Sequence, residues 1–354
     1  MRILIATDAW RPQINGVVST LERMTQAASE LGAAFEFLTP QGMWSAPLPS
    51  YPEIRVALPN LWRIDRQIEQ TAPDHIHIAT EGPIGWLTRR YCLKHKRIFT
   101  TSYHTRFPEY VSARVRFPER LTYAGLRYFH APSAAVMAPT PTIASDLTRR
   151  GFSRVRLWTR GVNHALFRPR SKPALDLPRP IFLSVGRVSV EKNLEALLSL
   201  DLPGSTVIVG DGPARRSLER RYRHAHFLGA KQGEALADIY ASADVFVFPS
   251  RTDTFGIVMV EAMASGLPVA AYPVPGPIDV VGPGAGVLDE DLRAACLKAL
   301  TLSRDEARQH SMRFTWQESA RQFLDNIEAS RSDLKLPRAS SLKAVRAAST
   351  VKNG

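Results

Sequence analysis

Short apolar runs alternate along this chain with longer segments whose apolar residues recur every three or four positions. The runs at Arg2–Thr7, Phe35–Leu38, Asp74–Ile78, Arg97–Ser102, Ala138–Pro141 and Val155–Leu157 have the length of buried strands. After the first, Val17, Leu21, Met24, Ala28 and Leu31 fall on one side of a helix over Gly16–Gly32. Strands separated by helical patterns predict a parallel, doubly wound sheet. The rhythm breaks at Arg168–Pro180, where four prolines read as a linker. It then restarts. Strands are expected at Ile181–Val185, Thr206–Val209, Val245–Pro249 and Pro268–Ala271. Helices are expected at Leu194–Leu200, ending at Leu236–Ser242, and at Ile257–Ser265. Two such domains joined by a hinge leave a cleft, and ligands in these sheets bind beyond the carboxyl ends of the strands.

The opening run meets Asp8 too early for a secretory leader and reads as a strand. At 354 residues, two domains is the natural division, and a 44% apolar content excludes a disordered chain. No apolar stretch approaches the ~18 residues that span a bilayer, so an integral membrane protein is not expected. Cys92 and Cys296 are too few for a disulfide framework or a zinc cluster and point to a reducing cytoplasm. Charge is uneven: residues 1–170 carry +11, residues 171–330 carry −3 and residues 331–354 carry +5. A basic first half fits an anionic partner, and fits equally a solvated surface in a chain whose Arg outnumbers Lys 37 to 9. Residues 331–354, rich in Ser, Ala, Lys and Arg, read as a mobile basic tail.

Several loops carry candidate chemistry. Asn15-Gly16 precedes a helix, where glycine lets backbone amides approach a phosphate, although a plain turn reads the same way. Gly186-Arg187 and Lys192 follow a strand, so a guanidinium fork and an ammonium can converge on a diphosphate; a surface ion pair with Glu191 is the alternative. Gly210-Asp211-Gly212-Pro213 is a tight turn. The densest segment, Phe248–Val269, runs strand, polar loop, glycine, helix. It places the amides of Phe255, Gly256, Ile257 and Val258 at a helix start, with Glu261 a turn further on. A carboxylate there can hold a ribose diol.

Taken together, Asn15-Gly16-Val17, Gly186-Arg187 with Glu191-Lys192, Gly210–Pro213, and Asp253 with Glu261 resemble the family-4 retaining glycosyltransferases over residues 1–330. The first acid of the family's pair is usually Glu; here it is Asp253. Leu48–Pro59, Ser102–Tyr110 and Leu157–Asn163 are similar to the branch of sulfoquinovosyl-diacylglycerol synthases and phosphatidylinositol mannosyltransferases. The resemblance implies a GT-B fold, two doubly wound Rossmann-like domains facing a central cleft. Residues 1–168 form the acceptor side and 169–310 the nucleotide-sugar side. Residues 311–330 form a helix returning to the first domain, and 331–354 the tail.

It also implies roles. Arg187 and Lys192 neutralise the donor diphosphate, and Gly16 and Gly186 offer backbone to it. Glu261 holds the ribose. Asp253 orients the sugar hydroxyls with Phe255, Gly256 and Ile257. His104 hydrogen-bonds the sugar near its anomeric centre, and Gly229 and Ala230 lie near the base. No metal is expected. The acceptor hydroxyl attacks on the leaving-group face, with a side-chain nucleophile left open. The expected reaction moves a hexose from a nucleotide sugar, UDP-linked, to diacylglycerol at the inner face of a bacterial membrane. GDP-mannose transfer to phosphoinositide or lipopolysaccharide core is the alternative. A catalytically silent scaffold is the alternative of another class.

Arg89, Arg90 and Lys94 on one segment, and Arg114, Arg116, Phe117, Tyr123 and Arg127 on another, interleave basic and aromatic residues. They are candidates for a peripheral membrane or acceptor surface, or for helices covering a sheet. Nucleic acid is not an expected partner, since no binding motif for it is present. His75 and His77 share a strand face, as half a metal site or as packed, hydrogen-bonded rings.

Overall fold

The computed structural model describes residues 1–11, 16–48, 51–109, 118–171 and 174–333. The first half builds a six-stranded parallel sheet. Its strands are β1 (Arg2–Ala6), β2 (Ala34–Leu38), β5 (His75–Ile78), β6 (Phe99–Ser102), β7 (Val136–Ala138) and β8 (Val155–Leu157), in the order β2-β1-β5-β6-β7-β8. Ile3, Leu4, Ile5 and Ala6 are all fully buried, because helices cover both faces of the sheet. Helix α1 (Gly16–Glu30) covers one face through Leu21, Met24 and Ala28. Helices α2 (Leu61–Thr71) and α3 (Pro83–Lys94) cover the other, with Ile64, Ile68, Ile84 and Cys92 in one cluster. An antiparallel hairpin, β3 (Ser45–Leu48) with β4 (Tyr51–Ala57), is inserted between β2 and α2.

The expected strand at Ala138–Pro141 is a correction. The strand ends at Ala138, and Pro141 opens helix α5 (Pro141–Arg149), following α4 (Glu119–His130). Thr140 caps α5, its hydroxyl accepting the amide of Ile143 at 3.4 Å. Proline lacks an amide that the first helical turn would leave unpaired, so Thr-Pro marks a helix start.

The second half repeats the architecture. Strands β9 (Ile181–Val185), β10 (Ser205–Val209), β11 (His226–Phe227), β12 (Val245–Phe248), β13 (Val269–Ala271) and β14 (Gly286–Leu288) stand in the order β11-β10-β9-β12-β13-β14. Helices α6 (Leu194–Leu198), α7 (Arg215–Arg221), α8 (Gly233–Ser242), α9 (Ile257–Ala264), α10 (Pro277–Val280), α11 (Leu292–Ala299) and α12 (Arg304–Ser311) surround it. In both sheets the strand order reverses once, between β1 and β5 and between β9 and β12. Such switch points open a crevice beyond the strand ends.

The last described helix, α13 (Trp316–Asp333), leaves the second domain and packs against α1. Trp316, Ala320, Phe323 and Ile327 join Ile3, Leu21 and Trp158 in one core. Polar contacts reinforce it: Trp158 Nε1 donates to Ser319 Oγ at 3.1 Å, and the Thr159 amide to Gln322 Oε1 at 3.0 Å. The linker is held to the second domain, where the Arg170 guanidinium bonds Asp238 at 2.6 Å and Glu234 at 2.7 Å. No described helix is long and apolar enough to cross a membrane. Most of the basic tail, residues 334–354, lies outside the described residues.

Candidate active site

The site forms where loops beyond the strand ends of the two domains touch. On the second domain, Gly186, Arg187, Lys192, Phe248, Pro249 and Ser250 line one small cavity. Gly210 adopts φ +144°, and a Cβ there would stand 1.8 Å from the Gly186 carbonyl oxygen. Only glycine allows that approach, and it holds the turn after β10 against the phosphate-side loop. Lys192 closes a single 3₁₀ turn, Val190–Lys192, which ends at Asn193 with φ +52°. The Asn193 amide group donates to the Pro249 carbonyl at 3.1 Å and ties the turn to the end of β12. Lys192 Nζ contacts both oxygens of Asp253, at 2.6 and 2.8 Å. Lys192 therefore pairs with Asp253, across the loop that follows β12.

Gly256, in the left-handed region at φ +76°, turns the chain into α9. A Cβ there would meet Met259 Cε at 2.6 Å and Phe248 Cζ at 3.0 Å. The amides of Ile257 and Val258 thus lie in the first turn of a helix, where donors have no intrahelical partner. The Phe255 ring anchors this loop edge-on to Phe314, at 5.9 Å between centroids. Glu261 accepts a hydrogen bond from the Tyr240 hydroxyl at 3.0 Å. Burial pushes the Glu261 carboxyl up to about 7, opposed by that hydrogen bond. The Gly229 carbonyl accepts the Gly210 amide at 2.9 Å, and Ala230 is exposed beside it.

On the first domain, Asp8 follows β1 and accepts the amides of Ile84 at 2.9 Å and Gly85 at 3.3 Å. It caps α3, and burial raises its carboxyl above the usual carboxylate range. His104 follows β6. Its carbonyl accepts the Thr254 hydroxyl at 2.7 Å, which joins the two domains at the site. A second bridge runs from the Thr142 hydroxyl to Asp279 at 2.9 Å. Gly16 opens α1, and a Cβ there would meet nothing within 4 Å. Asn15 lies outside the described residues.

The structure thus brings Gly186, Arg187, Lys192 and Asp253 together and ties the loop that carries Asp253 to His104. Arg160 and Tyr240 carried no role in the sequence reading. Arg160 sits inside Leu157–Asn163, a segment that served only as a mark of the branch. Its guanidinium lies 3.1 Å from His104 Nδ1.

The basic surface needs correction. Arg89 is buried, donating to the Phe129 and Tyr128 carbonyls at 2.9 Å each and stacking on Tyr128 and Trp86. Tyr123 is buried, with its hydroxyl on Glu109 at 2.8 Å. Both pack inside because their polar ends are satisfied there, the guanidinium by two carbonyls and two ring faces and the hydroxyl by a carboxylate. Arg127 is half-buried and reaches the Arg150 carbonyl. Arg90 and Lys94 are exposed, and Arg114, Arg116 and Phe117 lie outside the described residues. His75 and His77 both bond the Thr100 hydroxyl at 2.9 Å, a hydrogen-bonding role.

Two parallel-sheet domains whose glycine-bounded loops and a carboxylate gather at one crevice have the layout of a GT-B fold. Residues 14–166 match the family described as Glycosyltransferase Family 4, and residues 168–313 match Glycosyl transferases group 1. A GDP-mannose-dependent alpha-mannosyltransferase of Mycolicibacterium smegmatis is 31% identical over 80% of this chain and 82% of that protein. The sulfoquinovosyl transferase SQD2 of Arabidopsis thaliana is 33% identical over 68% of this chain, which spans 50% of that protein. An alpha-monoglucosyldiacylglycerol synthase of Streptococcus pneumoniae is 27% identical over 86% of this chain and 79% of that protein. The fold matches a sucrose-phosphate synthase from Thermosynechococcus elongatus with a TM-score of 0.74 at 21% identity, covering 94% and 99% of the two chains. The chain belongs to the family-4 glycosyltransferases.

Proposed function

We propose that the protein transfers a hexose, with retention, from a nucleotide sugar to a lipid acceptor. The carrying observation is the Lys192–Asp253 contact beside Arg187, at the switch point that takes nucleotides in such sheets. In this reading the diphosphate displaces Asp253 from Lys192. The two cations then meet charge developing on the leaving group, where fixed charges lower the barrier most. The freed Asp253 turns to the sugar hydroxyls, helped by the amides at the start of α9. These cations make a metal unnecessary. The glycolipid reading draws on the pneumococcal relative and on exposed apolar side chains of the first domain, Trp44 and Trp62, near the basic Arg63 and Arg66. UDP-linked hexose is the first donor expected. GDP-mannose is the second, favoured by the mycobacterial relative's even coverage of both chains.

The test offers UDP-, GDP- and ADP-sugars to the purified protein, with anionic liposomes containing diacylglycerol or phosphatidylinositol, with and without chelator. Glycolipid is read by mass spectrometry. One donor yielding glycolipid in the presence of chelator is the expected result. Donor hydrolysis without glycolipid refutes the lipid acceptor, and loss of turnover restored by a divalent ion refutes metal independence.

Glu261 gives a second check. A ribose diol donates to a carboxylate, so the ionised form binds donor better. With the group near 7, donor affinity should rise as pH rises to about 7 and then level off. Glu261→Gln should flatten this profile and weaken donor binding about tenfold, the size of a lost charge-assisted hydrogen bond. Calorimetric titration of the nucleoside diphosphate from pH 5.5 to 8.5 decides it. A wild-type affinity that ignores pH would remove Glu261 from the ribose site.

A further inference from the structure

We propose that Arg160 is a positioning residue of the transfer site, fixing the His104 ring so that Nε2 carries its hydrogen. A guanidinium only donates. Arg160 Nη2 lies 3.1 Å from His104 Nδ1, so Nδ1 must accept, and the single hydrogen of the neutral ring sits on Nε2. That Nε2 is out of contact with water and has no partner among the described residues. A buried donor left unpaired is costly, and such an orphan is the kind of group a ligand completes.

Arg160 is itself locked. It is 5% exposed, Nη1 donates to the Trp158 carbonyl at 2.6 Å and the Thr159 carbonyl at 3.2 Å, and the guanidinium lies 4.3 Å over the Trp158 ring. Trp158 in turn stands edge-on to His104 at 5.7 Å and is pinned through Nε1 to Ser319 of α13. The His104 backbone is held from the other domain by Thr254. Ring, ring nitrogen and main chain are therefore each fixed by a different element.

The charge of Arg160 adds to the hydrogen bond. Burial lowers its pKa to about 9, so it remains a cation at neutral pH. The groups facing His104 are Arg160, from the segment after β8, and His77, from β5. Burial first, then these two, hold the ring well below its ordinary range. The ring stays neutral, and its hydrogen stays on Nε2. A neutral ring with a fixed N–H can donate to a hydroxyl or ring oxygen of a sugar without first losing a proton. That use of Nε2 rests on the sugar-transfer reading above; the state of the ring does not.

The test is NMR of the protein labelled with ¹⁵N in its imidazoles, with the His104 signals identified by their loss in His104→Gln. The wild type is expected to show a neutral His104 with Nε2–H from pH 5 to pH 8. In Arg160→Met, which has no donor and no charge, His104 should titrate within that range or populate Nδ1–H. In the same variant kcat should fall about 10²-fold with donor KM little changed, and the kcat profile should gain an acid limb. Arg160→Lys should restore the Nε2–H state in part. It also serves as the variant if Arg160→Met does not fold. A wild-type ring carrying Nδ1–H, or titrating near 6.5, overturns the proposal without any variant. So does a folded Arg160→Met whose His104 signals match the wild type, whatever its activity. Because the spectra need no substrate, failure of the glycosyl-transfer reading would show separately, as absent turnover with an unchanged Nε2–H ring.

Discussion

Lys192→Ala should lower kcat by about 10³-fold in a protein that still folds. Removing one preorganised donor from a developing anion costs about 10²–10³ in rate, and a full cation next to a departing diphosphate lies at the upper end. The side chain is about a quarter exposed, so its truncation leaves no core cavity. The contact with Asp253 makes the outcome more informative than a single rate. Without Lys192 the Asp253 carboxylate stays where the diphosphate must enter, and two anions repel, so donor KM should rise as well. Lys192→Ala combined with Asp253→Asn should recover donor binding but not kcat, because the repulsion is gone and the cation is still missing. Steady-state kinetics on the four proteins of this cycle separate the two effects. Near-normal turnover in Lys192→Ala would end the leaving-group role. Full recovery of kcat in the double variant would mean that Lys192 serves only to hold Asp253.

The parts of the fold legible in the sequence are those whose strands are buried on both faces. Ile3–Ala6, Ile181–Leu183 and Val245–Phe248 are continuous apolar runs and lie where the pattern put them. The edge strands β11 and β14 were not legible. His226–Phe227 and Gly286–Leu288 are only two and three residues long and are not fully buried, too short for a pattern to mark them. The hairpin of β3 and β4 drew no strand expectation, because Pro47 and Pro52 interrupt the apolar alternation that marks a strand. Burial of polar side chains is a tertiary property, and it decided the rest. Arg89 and Tyr123 look like surface residues in a list of types, yet their partners are carbonyls and a carboxylate supplied by distant segments. Arg160 meets His104 across 56 positions, a pairing no local spacing announces. The donor-side loops were legible because glycines and charged residues recur there at short range, within one turn of chain. The first-domain side of the site offered only Gly16 and His104 to a reading of the sequence, because its remaining polar partners are single residues far apart in the chain, such as Arg160.

Stability should fall steeply below about pH 6.5, and the cause lies beneath the site. His75 Nε2 and His77 Nδ1 share the Thr100 hydroxyl, and His77 Nε2 meets Ser102 Oγ at 2.8 Å. The His77 ring is packed edge-on to Trp158 and Phe323, at 5.9 and 4.9 Å, so a charge there has neither water nor counter-ion. Burial pushes His75 down to about 3 and His77 well below its ordinary 6.5; His104 is depressed in the same direction. These rings are neutral in the folded chain and take protons on unfolding. Their contribution is therefore complete above the unfolded value of 6.5 and is lost as pH falls toward the folded values. Glu261 works the other way, since its raised group holds a proton in the folded state below about 7 that the unfolded chain gives up. His164 and His310 are depressed by burial in the same direction and Asp8 is raised like Glu261, so the depressed histidines outnumber the raised carboxyls, and each unbalanced proton changes stability by about one kcal/mol per pH unit. A domain stability of about 5–15 kcal/mol would be consumed within a few pH units. Urea unfolding at pH 8, 7, 6 and 5 should give a midpoint nearly constant above 7 and falling sharply below it. His77→Gln keeps a hydrogen-bonding group between Thr100 and Ser102 but takes no proton. It should cost stability at pH 8, yet lose about one proton's worth of slope. A midpoint that stays level down to pH 5, or a slope unchanged in His77→Gln, would mean that the rings charge in place and that the chain through Thr100 accommodates them.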